Sequence, residues 1–154
     1  MGLTRGSFNG QAPHLVHEAS GTCVWFVEPF GMLTQSGEVR QASVEFARFL
    51  AGDATEALLA RQRGAKHPAR LLFLHDWTRF IGYHSAARKV LIEWGVAMRS
   101  VTERVVVAAS PSARVVRMAV AVGSVALQVA GVRLDVVNDL GPVLARLDVR
   151  PQPP

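Results

Sequence analysis

An acid, an imidazole and a hydroxyl, the parts of a nucleophilic hydrolase, occur close together in this chain as Asp76, His84 and Ser85. Their setting does not assemble that chemistry. A triad serine sits on a sharp turn, usually within Gly-x-Ser-x-Gly, whereas Ser85 stands in Tyr83-His84-Ser85-Ala86-Ala87 with neither glycine. Asp76 has no second acid in its segment, which excludes paired-carboxylate work. Its expected task is to accept hydrogen bonds from its own loop, Thr78 included. His75 and His84 flank that loop, while His14, His17 and His67 lie elsewhere at spacings that match no metal motif. His14 and His17, three apart in a strand, would point to opposite faces. Cys23 lies inside the apolar run Cys23–Val27 and reads as a small buried hydrophobe, not a nucleophile. No glycine-rich phosphate loop is present. The expectation is a protein that is not an enzyme, with no cofactor and no metal.

The elements that must position these groups are legible from Arg70 to Trp94. Arg70-Leu71-Leu72-Phe73-Leu74 follows Pro68 as a short apolar run, which fits a strand covered on both faces. From Ser85 the period changes, and Ala87, Val90, Leu91, Trp94 and Met98 form one helical stripe. A loop between a parallel strand and the next helix is where open α/β sheets place their working surface. That surface is expected to comprise Asp76, Trp77, Thr78, Tyr83, His84, Ser85 and Arg88, with Ser110 and Arg114 from the next strand-to-helix connection. Trp77 and Tyr83 would touch a ligand or partner there, and the arginines would supply charge. Trp25 and Trp94 sit in apolar periods and read as core.

Around this segment the pattern gives β-β-α-(α)-β-α-β-α-β-α. His14–Ala19 and Thr22–Phe30 read as a hairpin about Ser20-Gly21, and Phe30–Thr34 extends the second strand. Thr34 or Ser36 is expected to cap a helix reaching Ala51 and ended by Gly52, with Asp53 and Glu56 boxing a further helix through Arg61. Gly64–Pro68 is a loop. Arg104–Ala109 is a strand, and Ser110-Pro111 opens a helix that Gly131 stops. Leu134–Val137 is the last strand, and Asp139 caps a helix through Leu147. Strands alternating with helices imply one α/β domain, residues 13–149, with a mostly parallel mixed sheet of about five strands, an N-terminal hairpin and flanking helices. Residues 1–12 are expected to be disordered, and the proline-rich tail 150–154 to be loose.

Composition narrows the partners. The 154 residues carry a formal charge of +5, and fifteen of the seventeen bases are arginines scattered along the chain. Nucleic-acid binding needs a clustered basic stripe, so no nucleic acid is expected. The single cysteine permits no internal disulfide, the first dozen residues lack an apolar signal core, and a cytoplasmic protein is expected.

The strand-loop-helix segment resembles the SpoIIAA-like branch of the STAS-like superfamily. The resemblance is carried by Leu72-Phe73-Leu74-His75-Asp76-Trp77-Thr78, then Gly82-Tyr83, Ala86-Ala87-Arg88 and Leu91-x-x-Trp94, and spans His14 to Val149. It implies a STAS-like fold and a binding or regulatory role. The related anti-sigma antagonists carry Asp-Ser-Ser-Gly here and are phosphorylated on the second Ser. This chain reads His84-Ser85-Ala86-Ala87, so Ala86 occupies that position and only Ser85, one residue early, could serve a phospho-switch. The branch is also compared with CRAL-TRIO lipid-transfer domains, which implies a small apolar or lipid-like ligand and a membrane-surface contact.

One further feature bears on that implication. Met118–Val132 holds no charge and only Ser124 and Gln128 as polar groups, with Arg114 and Arg117 ahead of it. It is shorter than the ~20 residues a bilayer span takes. Such a helix is either buried, against the sheet or a second subunit in a homodimer, or it walls an apolar pocket or touches a membrane. The helix starts after His84 and Ser110, with Arg88 and Arg114, would suit an anionic head whose apolar tail lies under this helix. The expected partner is therefore a protein or a small apolar or anionic ligand.

Overall fold

The computed structural model describes all residues except Met1, Pro29, Lys66, His67 and Pro68. The predicted Gly64–Pro68 loop and the Pro68 boundary fall partly on residues outside that set.

In chain order the strands are β1 (Leu3–Thr4), β2 (Ser7–Phe8), β3 (Leu15–His17), β4 (Thr22–Glu28), β5 (Gly31–Gln35), β6 (Gln41–Ala42), β7 (Leu71–Asp76), β8 (Gly82–Tyr83), β9 (Thr102–Ala108), β10 (Leu134–Val137) and β11 (Arg150–Pro151). The helices are α1 (Val44–Phe49), α2 (Thr55–Arg63), α3 (Ser85–Ala97), α4 (Arg114–Val129) and α5 (Gly141–Arg146). A π-helical turn, Leu50–Ala54, runs α1 into α2 without a break.

The main sheet has the order β10-β9-β7-β5-β4-β11, with β3 also on β4. β5, β7, β9 and β10 are parallel, while β3, β5 and β11 each pair antiparallel with β4. The apolar run Leu71–Leu74 thus lies mid-sheet, flanked on both sides. β5 and β7 approach so closely that a Cβ on Gly31 would collide with the Leu72 carbonyl, which makes glycine obligatory there.

Because successive parallel strands are added in one direction, right-handed crossovers put every linking helix on one face. The packing agrees. Phe46, Leu50, Leu58 and Val116 from the helices bury against Phe26, Met32 and Phe73. The opposite face is closed by Leu140 and Leu144 around α5 and by Phe8, which meet Trp25, Leu33, Leu72 and Leu74. The alternation along β7 produces this division: Leu72 and Leu74 face one layer, Phe73 and His75 the other.

Several boundaries differ from the sequence reading. Gly31–Gln35 is not an extension of the preceding strand but a separate one, folded back on β4 and seated beside β7. Thr34 and Ser36 therefore cap nothing: Thr34 lies within β5, and the helix begins eight residues later than Ser36, where Ser43 Oγ accepts from Phe46 N at 3.1 Å. Gly52 does not end the helix, and Asp53 and Glu56 form no capping box, because the widened π turn carries the chain through. Ser110-Pro111 forms a turn, not the first helical residues, and α4 starts at Arg114. Gly131 does stop it, with φ of +85°.

Residues 3–8 and 150–152 are built into the fold. Phe8 is 1% exposed and the Leu3–Phe8 segment is a small hairpin. β11 pairs with β4, and Gln152 is held by its backbone N–H to Phe26 O (2.8 Å) and its side chain to Val27 O (3.2 Å). Pro151 is tolerated because β11 is a two-residue edge strand.

Candidate functional site

The face of β7 that meets the helices carries aromatic groups in succession. Phe73 and His75 stack at 6.4 Å between ring centroids, and His75 and Trp77, just past the strand, at 4.7 Å. Trp94 arrives edge-on from α3, 5.4 Å from Phe73 and 5.9 Å from His75. Phe46 of α1 lies edge-on to both Trp77 and Phe80. Opposite these rings, α4 presents Val116, Ala119, Val120, Gly123 and Leu127. Between the two walls lies a cavity of about 110 Å³.

Two glycines at the α3–α4 crossing explain how this space persists. A Cβ on Gly95 would meet Leu127 Cδ2 at 2.5 Å, so that glycine serves close approach of the helices. A Cβ on Gly123 would reach only Ile92 Cγ1 at 3.7 Å, an ordinary contact. Gly123 therefore preserves volume that a larger side chain would fill.

The polar groups in the wall are few. His75 is 2% exposed, and its Nδ1 lies 2.7 Å from Thr34 Oγ1. Burial, with no acid to offset it, lowers its pKa to about 3, so the imidazole is neutral. The Nε1 atoms of Trp77 and Trp94 are buried without an acceptor among the described residues, each a cost of about 1–3 kcal/mol. Arg88 is the exposed residue of the lining; its guanidinium lies over Tyr83, 5.8 Å from the ring centroid, and marks the solvent side.

The expected site residues divide accordingly. Trp77, Tyr83 and Arg88 line the cavity. Asp76 and Thr78 stand on the loop after β7, where Asp76 Oδ1 accepts from Thr78 Oγ1 (2.6 Å) and Thr78 N (3.2 Å). His84 and Ser85 are exposed at the start of α3, and Ser110 and Arg114 stand at the turn before α4 and its first residue. Asp76 and Ala108 are in register at the ends of parallel strands, so both helix starts share one rim. Asp76, Thr78, His84, Ser85, Ser110 and Arg114 are not part of the cavity lining. Arg117 is engaged in the fold, donating to Ala109 O (2.8 Å) and Asn138 Oδ1 (3.0 Å). Cys23 lies in β4, where burial raises its thiol above the usual range and disfavours the thiolate.

The groups that the sequence reading left out of the site are His75, Phe73, Phe46, Phe80 and Trp94. One signal was available: Phe73, His75 and Trp77 alternate along a strand and its exit, so they share a face. Among the described residues no helix is long and apolar enough to cross a membrane. No protein-family model matches the chain, and comparison with curated proteins and with solved structures gives no match.

Proposed function

We propose that the chain is a non-enzymatic binding module that takes up a small, mainly apolar molecule between its sheet and the helices α3 and α4. The observation that carries this reading is the aromatic-walled cavity of about 110 Å³ kept open at Gly123. Binding pockets are concave, mostly apolar and furnished with a few polar groups, and an engineered apolar cavity of about 150 Å³ takes up benzene. A charged part of a ligand belongs on the solvent side beside Arg88, since nothing inside could neutralise it. The rim of Asp76, Thr78, His84, Ser85, Ser110 and Arg114 is where a protein partner would sense occupancy. A STAS-like, SpoIIAA-like affiliation rests on the residues from Leu72 to Trp94, and the hairpin followed by parallel strands added in one direction supports it.

Thermal unfolding with benzene tests the cavity. At about tenfold over its dissociation constant a ligand adds about 1.4 kcal/mol, which raises Tm by about 3–5 °C in a chain of this length. Gly123→Leu, which fills the space, should fold and lose the response. A wild-type Tm that does not rise and saturate with benzene would refute the reading.

Membrane-surface association is a second reading, favoured by a separate observation. Val115, Met118, Val122, Val125 and Val129 recur at spacings of three and four on the outer side of α4, with Met118 69% and Val129 86% exposed. α4 is thus apolar toward the cavity and toward solvent.

A further inference from the structure

The main sheet is finished differently at its two edges. At one, β11 is two residues long and carries Pro151, which has no N–H to offer a further strand. At the other, β10 holds four extended residues without a proline, and among the described residues no strand lies on its outer side. Val105 N donates to Arg133 O (2.9 Å) and Ala109 N to Val137 O (3.0 Å), so these odd-numbered residues turn their backbone groups toward β9. The N–H and C=O of Leu134 and Val136 therefore point outward. Of these, Leu134 O accepts a long bond from Ser124 Oγ, at 3.4 Å.

An open strand of this kind is a template for another strand, and the charges along β10 fit a second copy of itself. Asp135 lies between Arg104 (2.9 Å) and Arg133 (3.1 Å), so this edge carries no unpaired acid to repel a neighbour. Two copies laid antiparallel about a two-fold axis form a self-complementary contact. Centred on Leu134, the pairing sets Arg133 opposite Asp135 of the second copy; centred on Val136, it sets Arg133 opposite Asp139. The register between these sets Asp135 against itself, and like charges directly opposite are unfavourable.

α4 widens the contact. Ser124 and Arg117 reach β10 and the residue after it, so the neighbouring flank of α4, with Ala121, Val125 and Gln128, lies toward the open edge. All three are exposed. The two-fold axis stands perpendicular to the joined sheet, so both α4 helices lie on one face, side by side. A four-residue ladder alone is short of the ~1,200 Å² that a specific interface buries, and the paired helices add apolar area to it.

We propose that β10 is a homodimer edge: two copies join their sheets antiparallel through Leu134 and Val136, with α4 beside α4. This does not rest on the cavity reading.

The test is the molar mass of the full chain by sedimentation equilibrium, compared with Val136→Pro and Arg133→Asp. Val136→Pro removes an outward N–H and leaves the bonds to β9 in place, and an edge strand tolerates proline. Arg133→Asp sets acid against acid in both matched registers. The wild type should be a dimer at about 100 μM, and each variant should raise the dissociation constant at least about tenfold. Amide hydrogen exchange reads the same edge in the wild type alone, whether or not a variant folds. The Leu134 and Val136 amides should exchange more slowly as protein concentration rises. A wild type that stays monomeric at about 100 μM would overturn the proposal and leave the edge to a strand of a different protein. A dimer that Val136→Pro leaves intact, or in which those two amides exchange as fast as in the monomer, would overturn it equally.

Discussion

His75 joins the sheet to the cavity, and its environment has a consequence for stability. The imidazole is neutral in the fold because burial lowers its pKa to about 3, against 6.5 when unfolded. Between those values the unfolded chain binds a proton that the folded chain does not. Stability from this group is therefore complete above pH 6.5 and lost as pH falls toward 3, by about 1.4 kcal/mol per pH unit at the steepest. Unfolding free energies of wild type and His75→Gln should diverge in slope between pH 6 and 4, the wild type falling faster. Parallel profiles would show that His75 is protonated in the fold. The residue scale was only half legible. Asp76 was readable as a loop anchor from its short side chain and its neighbour Thr78, and the structure gives it that bond. Trp94 was readable as core from its apolar period, but not as the wall of a void, because a stripe of apolar residues has the same pattern whether the space opposite is filled or empty.

At the scale of elements, α4 is the unusual one. Its inner side, with Val116, Gly123 and Leu127, faces the cavity, and its outer stripe of Val115, Met118, Val122, Val125 and Val129 faces solvent. Arg114 begins the helix and Arg133 follows it, both exposed. An apolar helical face flanked by cations is suited to the boundary of an anionic bilayer. The chain should co-sediment with vesicles containing acidic lipids, and Val125→Asp should weaken that binding at least about fivefold by setting a charge in the stripe. Failure of the wild type to pellet with such vesicles would leave the stripe without a membrane role. The all-round apolar character of α4 was plain in the sequence, as were its end at Gly131 and the strand Leu134–Val137. The start of α1 was not: Thr34 and Ser36 have the chemistry of caps, and only the pairing of β5 with β7 moves Thr34 into the sheet. The tail was misread for a related reason. Proline forbids a central strand but not a two-residue edge strand, and Gln152 supplies the anchoring bonds.

Taken as a whole, the molecule is a mixed α/β domain whose parallel strands step in one direction, so its linking helices crowd onto one face. That crowding puts α3 and α4 over the aromatic end of β7, and the glycines at their crossing decide whether the layer closes. The alternating strands and helices make this architecture legible in the sequence. The cavity was not, since it depends on how far the small residues of the α3–α4 crossing, Gly123 among them, leave the layer unfilled. The central claim is that this space receives a small apolar molecule. A crystal of the protein pressurised with xenon tests it most directly. The account predicts one strong xenon site between Phe73, Trp94 and Leu127, absent from Gly123→Leu. Well-ordered protein with those three side chains packed together and no xenon among them would contradict it.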